Sequence, residues 1–340
     1  MNTKDWKEWL VENLVCPRDN HRLELVDNNL ICPSGHIYPL IDNIPVMLVD
    51  NVTPTQNKEF CNSLKMAKSY VANNQVESSQ QSGVLVQSKY QTIHQIDPFV
   101  QDVIGATGGN LYTHLIGKLT RYPIPKLLLP QGKNQLLLDI GCNWGRWCIS
   151  AAQLGYQAIG IDHNIEALRA AKRVSTQLGV QTNYIVADGR YLPFKENTFD
   201  VVFSYSVLQH LSKDNVRLCL AGISRILKTQ GYSFIQLPNS FGIVNLLYQF
   251  KRGLREPVDF EVRYWTINEL SDNFSRLIGK TSISVDGFFS LNPQVTDIDL
   301  LPWYYRLIVN SSNTLKSSSE KSYWLKYFAD SLYVKSIKGN

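Results

Sequence analysis

Three acids and two glycines are the residues best placed to do chemistry. Asp139, Gly141, Asn143 and Gly145 stand at alternate positions in the stretch LLLDIGCNWG, Leu136 to Gly145. Asp162 follows 23 residues after Asp139, and Asp188-Gly189 comes later. Glycine lets the backbone take angles closed to other residues, and lets a ligand lie on the chain without meeting a Cβ. Carboxylates accept hydrogen bonds and attract cations. Asp162 can accept both hydroxyls of a ribose, and Asp188 the exocyclic amine of an adenine. Asp139 can orient the turn and reach an ammonium group directly or through water. A dinucleotide site would want G-x-G-x-x-G with a pyrophosphate on the helix N-terminus. Here the third residue after Gly141 is Trp144, and no Lys or Arg lies inside the turn. The expected ligand is a cationic nucleoside rather than a phosphate-bearing one.

Such acids converge only when each ends one of several adjacent parallel strands. The pattern from Gln135 onward meets that requirement, since strand and helix signals alternate. Strands are expected at Gln135–Ile140, Ala158–Asp162, Thr182–Asp188, Asp200–Ser206 and Tyr232–Leu237. Helices are expected at Arg146–Leu154, at Ile165–Leu178 closed by Gly179, and at Asp214–Leu227. Thr281–Phe289 and Leu332–Lys338 read as two further strands forming an antiparallel edge. The fold class is α/β: a Rossmann-like, seven-stranded, mostly parallel sheet with an antiparallel last strand, plus a small N-terminal β ribbon. Three regions are expected. Residues 1–50 form a ribbon-like domain and 51–130 a helical and loop connector. Residues 131–340 form the main domain, with insertions at 240–280 and 290–331. In the connector, Asn, Gln and Ser from Val71 to Ser88 predict a solvated loop. Leu111–Leu119 has helical apolar spacing and is expected to cover the site.

Four segments carry a family resemblance: LLLDIGCNWGRWC, AIGIDHNIEAL, ADGRYLPFKENTFDVVFSYSVLQHLS and ISRILKTQGYSFIQLPN, in that order between residues 136 and 239. They resemble the class I S-adenosylmethionine-dependent methyltransferases. The resemblance implies that residues 139–145 hold the methionine part of that cofactor. It places the ribose on Asp162 and the adenine at Asp188 with Gly189. It implies that Ser204 and Tyr205 flank the methyl group. Asn143 departs from the family's usual glycine, but asparagine tolerates left-handed backbone better than most residues. Methyl transfer is an in-line displacement from an already good leaving group, so positioning can supply much of the catalysis. A hydroxyl acceptor would be helped by a general base. His210, in SVLQHLS, is the candidate; its alternative is a structural histidine packing a short helix. Cys142, Cys148 and Cys219 read as core thiols.

The first fifty residues hold a second candidate site. Cys16-Pro17 and Cys32-Pro33 flank a short alternating segment, and His36 follows Cys32 with C-x3-H spacing. Cys16, His21, Cys32 and His36 make a four-ligand set for a structural zinc ion, with Asp19 as a substitute oxygen ligand. The alternative is a metal-free ribbon with buried Cys16 and Cys32. On CP…CPSGHIYPLIDNIPVML, within residues 16–49, the segment resembles the zinc-ribbon family of small tRNA-methyltransferase activators and the leader of several fused methyltransferases.

Composition narrows the partners. The net charge of +5 is mild, and residues 1–50 carry four Lys/Arg against eight Asp/Glu, a net of −4. A phosphate-binding surface is not expected there. No apolar run approaches the roughly 20 residues of a membrane span, and no secretory leader pattern is visible at the N-terminus. Six cysteines without regular spacing point to a reducing, cytoplasmic setting. The aromatic insertions, including LPWYYRLIVN and SYWLKYFAD, suit an apolar pocket or peripheral contact with a lipid surface. Thr266 is placed to cap the helix after Arg263-Tyr264-Trp265. The acceptor expected is a small molecule: a lipid, isoprenoid or secondary-metabolite intermediate. Two competing readings are an RNA base methyltransferase, because the ribbon-first layout resembles large-subunit rRNA guanine methyltransferases, and a non-catalytic scaffold that keeps the cofactor fold.

Overall fold

The computed structural model describes residues 3–53, 57–77, 95–290 and 295–339. The chain opens with α1 (Thr3–Asn13), then β1 (Glu24–Val26), β2 (Asn29–Ile31), β3 (Ile37–Ile41) and β4 (Ile44–Pro45), which pair antiparallel in sequence order. Two helices follow, α2 (Asn57–Glu77) and α3 (Pro98–Gly108), and then a 3-10 segment at Asn110–Leu115. The alternating part comprises β5 (Leu136–Ile140), α4 (Arg146–Gln153), β6 (Gln157–Asp162), α5 (Ile165–Gln177), β7 (Asn183–Val186), β8 (Phe199–Tyr205), α6 (Lys213–Ile226) and β9 (Leu227–Pro238). The chain finishes with α7 (Ile243–Lys251), α8 (Ile267–Leu277), β10 (Gly279–Gly287), α9 (Trp303–Lys321) and β11 (Ser331–Lys338).

The large sheet has the order β10-β11-β9-β8-β5-β6-β7. Strands β7, β6, β5, β8 and β9 pair in parallel, and β11 runs antiparallel between β9 and β10. This is the mostly parallel seven-stranded sheet with an antiparallel last strand that the sequence implies. The last strand is inserted one place in from the edge, and β10 forms the border.

Every residue of β5 is buried, which explains its unbroken apolar run. Its side chains still alternate. Leu136, Leu138 and Ile140 join a core with α6, α8 and the N-terminal segment, while Leu137 joins the core beneath α4 and α5. Helix starts are set by local capping. Asn164 accepts from Glu166 N and Ala167 N at the head of α5, and Ser212 accepts from Asn215 N at the head of α6. Thr266 and Glu269 form a reciprocal capping box on α8, so the expected Thr266 cap is present.

The N-terminal segment packs as part of the same body. Trp6 and Leu10 of α1, and Leu14 just after it, lie in one core with Leu138 and Ile159. Val46 bridges Val186 in parallel and Met47 N donates to Val186 O at 2.7 Å, so the chain after β4 covers the open edge of β7. Trp9 packs its edge against both Phe194 and Phe199.

Two expectations in the connector change. Residues 71–77 are helical, because the stripe Phe60, Leu64, Ala67, Val71 keeps helical spacing into the polar run and carries α2 to Glu77. The remainder of that expected loop, 78–88, lies outside the described residues. Leu111–Leu119 is a 3-10 segment followed by turns rather than an α-helix. Its apolar spacing buries Leu111, Tyr112, Leu115 and Leu119 around Trp144, and Gly117 at φ +70° breaks the run.

Candidate functional site

The turn after β5 is built by backbone. Gly141 N and Cys142 N both donate to Ile161 O, at 2.8 and 3.0 Å, which ties the turn to β6. Gly141, Asn143 and Gly145 are left-handed, with φ of +76°, +46° and +79°. A Cβ on Gly141 would stand 2.4 Å from Val207 Cγ2, and one on Gly145 2.4 Å from Tyr184 Oη. Packing around the turn, as well as access for a ligand, therefore demands glycine at both places. Asn143 accommodates its φ by binding its neighbour: its Oδ1 accepts from Trp144 N at 2.8 Å.

The three acids do gather at this turn, but on different terms. Asp162 lines the cavity, and its two oxygens accept from Asn143 N at 3.0 Å and Asn164 N at 2.9 Å. A carboxylate has roughly four acceptor sites, so about two remain for a ribose diol. Asp188 also lines the cavity, yet Arg190 holds it through Nε at 3.0 Å and Nη2 at 2.6 Å, with Gly189 beside it. Asp139 is 1% exposed and lies outside the cavity lining. Cys148 Sγ contacts it at 3.4 Å, and burial pushes its carboxyl up to about 7. Gly160 makes room for this arrangement, because a Cβ there would meet the sulfurs of Cys142 and Cys148 at 2.6 and 2.7 Å.

The cavity, of about 230 Å³, extends from these acids to a second set of residues after β8. Tyr205 and Ser206 form part of its wall. Ser204 is buried, and its hydroxyl donates to Ile140 O at 2.9 Å within the sheet. Tyr205 Oη donates to Asp286 Oδ2 at 2.8 Å. Ser206 N and Oγ both donate to Gln236 Oε1, whose amide nitrogen reaches Ser331. A polar chain thus fixes the mouth of the sheet across β8, β9, β11 and β10.

His210 stands in a 3-10 turn, Leu208–His210, with its ring stacked on Phe260 at 3.7 Å between centroids. Its Nδ1 lies 2.7 Å from Phe260 O. A carbonyl can only accept, so Nδ1 carries the proton and Nε2 keeps the lone pair. Burial pushes the imidazole below the ordinary histidine value, and nearby Arg263 acts in the same direction. Arg263 also clamps the loop: its N donates to Gln209 O at 2.8 Å and its Nη1 to His210 O at 2.9 Å.

Several lining residues were invisible in the linear pattern. Phe60 comes from α2, Ala106 and Thr107 from α3, and Phe260 from the loop before α8. Trp144 Nε1 donates to Thr107 Oγ1 at 3.0 Å, so α3 is the helix that covers the turn. Arg146 and Trp147, which also line the cavity, did carry a signal, because they open the helix directly after Gly145.

In the ribbon, the ligand atoms of Cys16, Asp19, Cys32 and His36 lie within 4.8 Å of one another. Cys16 Sγ is 3.3 Å from His36 Nδ1, Cys32 Sγ 3.5 Å from Asp19 Oδ1, and Asp19 Oδ2 3.4 Å from His36 Nδ1. A tetrahedron with ordinary zinc bond lengths has edges of about 3.3–3.8 Å, and these three separations fall in that range. Ser34 N points at Cys32 Sγ at 3.5 Å, and Gly35 turns the knuckle with φ +86°. His21 stands outside this cluster: its side chain is exposed and its Nδ1 pairs with Ser34 Oγ at 3.0 Å. Asp19 takes the place that the sequence spacing had given to His21.

Residues 138–235 match the family of methyltransferase domains, a stretch that runs from β5 to β9 and contains the whole turn. A ubiquinone biosynthesis O-methyltransferase from Bartonella quintana is 31% identical over 115 residues, 34% of this chain and 45% of that protein. Norajmaline N-methyltransferase from Rauvolfia serpentina is 33% identical over 85 residues, 24% of this chain and 29% of that protein. The chain spans less than half the length of these relatives. A solved SAM-dependent methyltransferase from Methanosarcina mazei covers 65% of this chain and 99% of its own, at 18% identity and a TM-score of 0.43. On the match of residues 138–235, that stretch is a methyltransferase domain.

Proposed function

We propose that the protein is an S-adenosylmethionine-dependent methyltransferase acting on a hydroxyl of a small, largely apolar acceptor. One observation carries this reading: a single cavity joins the Gly141–Gly145 turn and Asp162 to His210, whose unprotonated Nε2 accepts from the Gln209 amide at 3.2 Å. S-adenosylmethionine supplies, when bound, a methyl group on a positively charged sulfur. Asp162 would hold its ribose, the turn its methionine part, and Asp188 with Gly189 the adenine end. Ser206 takes a place on the wall beside Tyr205, where the family pattern had put Ser204. Once an acceptor hydroxyl takes the place of the Gln209 amide, His210 Nε2 would accept its proton, and Phe260 O fixes the tautomer that allows it.

The names of the relatives, one in ubiquinone biosynthesis and one acting on an alkaloid, support a small-molecule acceptor. So do the apolar side chains exposed just before and on α7 and on α9, among them Phe241, Leu247, Phe250, Trp303 and Leu307. They favour an oily acceptor and peripheral contact with a lipid surface. No helix among the described residues is long and apolar enough to cross a membrane. In the ribbon, Cys16, Asp19, Cys32 and His36 would hold a structural zinc ion that cross-links the two knuckles.

Labelled cofactor incubated with lipid, metabolite and RNA fractions tests the main reading. Label is expected in a small organic-soluble product, and label confined to RNA would overturn it. Metal analysis of the purified protein is expected to return one zinc per chain. A trace far below that level refutes the ribbon site.

A further inference from the structure

Arg146 is the first residue of α4, and its side chain lines the cavity while only 8% exposed. Among the described residues its guanidinium makes no hydrogen bond and no ion pair; it lies over the Trp147 ring, 5.6 Å from the centroid. Two part-buried guanidiniums elsewhere are matched. Arg190 is paired with Asp188, and Arg225 donates to Leu192 O and Phe194 O. Beside Arg146, Trp147 Nε1 is also buried with no hydrogen-bond partner. A guanidinium stays charged at any working pH, and that of Arg146 opens onto the cavity. A ligand anion there would pair with it.

The position of Arg146 says which ligand. The acids that would hold the cofactor's ribose and adenine, Asp162 and Asp188, end β6 and follow β7. Trp147 packs at a tilt against Phe203 and Tyr205 of β8, with ring centroids 5.0 and 4.8 Å away. The positive charge of Arg146 acts through space on Tyr205, on Tyr333 of β11 and on Asp139 beneath the turn. Arg146 thus stands where the turn meets the half of the sheet that His210 borders. The wall there is aromatic, with Trp147, Tyr205 and Phe260. We propose that Arg146 binds a carboxylate on the methyl acceptor, so that the acceptor class is a hydroxylated aromatic acid. The planar guanidinium fork suits a planar carboxylate. This rests on the methyltransferase reading and adds to it the charge of the acceptor.

The test uses two probes that differ only by the carboxylate: 3,4-dihydroxybenzoate and catechol. Each is titrated into the full-length protein by calorimetry, with and without S-adenosylhomocysteine. The wild type is expected to bind the acid about tenfold or more tighter than catechol, and Arg146→Met to erase the preference while its affinity for S-adenosylhomocysteine stays within about twofold. Arg146→Lys, which keeps the charge but not the fork, is expected to retain part of the preference. It also guards against a Met variant that fails to fold. No preference for the acid in the wild type overturns the proposal. So does a large loss of S-adenosylhomocysteine affinity in Arg146→Met that is absent for the decarboxylated analogue, since the cofactor's own carboxylate is then the partner. A wild type that binds the acid through Arg146 but never binds S-adenosylhomocysteine overturns the cofactor reading and leaves the carboxylate subsite standing.

Discussion

The two halves of the cavity are made differently. The half proposed for the cofactor is mostly backbone and strand ends within one stretch: the turn after β5, Asp162 at the end of β6, and Asp188-Gly189 after β7. The half proposed for the acceptor is side chains from separated places, with Thr107 on α3, Arg146 and Trp147 on α4, His210 after β8, and Phe260 on a loop clamped by Arg263. In the first half the topology of the sheet places the chemistry. In the second, tertiary contacts place it. Damage to the first half should therefore appear in cofactor binding, and damage to the second in turnover.

The largest effect is expected at His210. His210→Asn should lower kcat by about 10² to 10⁴ while cofactor affinity stays unchanged, the range typical of a lost general base. Steady-state kinetics and calorimetry on the same preparation check both parts. Because burial lowers the pKa of His210, its acid limb in kcat should lie below the ordinary histidine value, and the asparagine variant should lose that limb. An asparagine variant with wild-type turnover would make His210 a packing residue held by Phe260.

Asp162→Ala comes next and acts on the other half. It removes the acceptor of Asn143 N and of Asn164 N as well as the proposed ribose contact. Cofactor affinity should fall by about a hundredfold, close to the 1–3 kcal/mol of orphaned buried donors added to a lost charge-assisted hydrogen bond. An unchanged dissociation constant would overturn the cofactor assignment. Saturating cofactor should restore much of kcat in this variant, and should restore none of it in His210→Asn.

The same division explains what could be read from the chain. Asp139, Gly141, Gly145 and Asp162 stand at fixed offsets because strand length and crossover length are fixed, and the alternation of elements was equally plain. The register by which β11 enters between β9 and β10 was not legible, since strand order depends on side-chain packing far apart in sequence. Asp139 looked like a ligand by pattern, but the structure buries it beneath the turn, with Cys148 against it. Ser204 and Ser206 are two apart and would share a face in a continuous strand, but β8 ends at Tyr205 and Ser206 turns left-handed with φ +58°, which brings it to the cavity wall. The polar run 71–77 read as loop because composition outweighed the four-residue stripe that keeps it helical. His21 and Asp19 were both in reach of the knuckle by spacing, and the hydrogen bond from His21 N to Asp19 Oδ1 at 3.1 Å turns the carboxylate inward.

The smallest expected effect is a pH dependence that belongs to the cofactor half alone. Asp139 has a carboxyl pushed from 3.8 up to about 7 by burial. Its protonated form is therefore favoured in the folded state. Stability from this group is complete below about 3.8 and declines by roughly 1.4 kcal/mol per pH unit until about 7, above which it is lost and the curve is flat. A cationic ligand at the turn favours the ionised form, so binding opposes the loss. The affinity for S-adenosylmethionine should rise, by at most about tenfold per unit, as pH climbs from 5.5 to 7, and level off above that. Asp139→Asn should flatten this profile in calorimetry and leave the His210 limb in kcat where it was. If both limbs move together in that variant, the two halves are electrostatically one site, and the division drawn above fails.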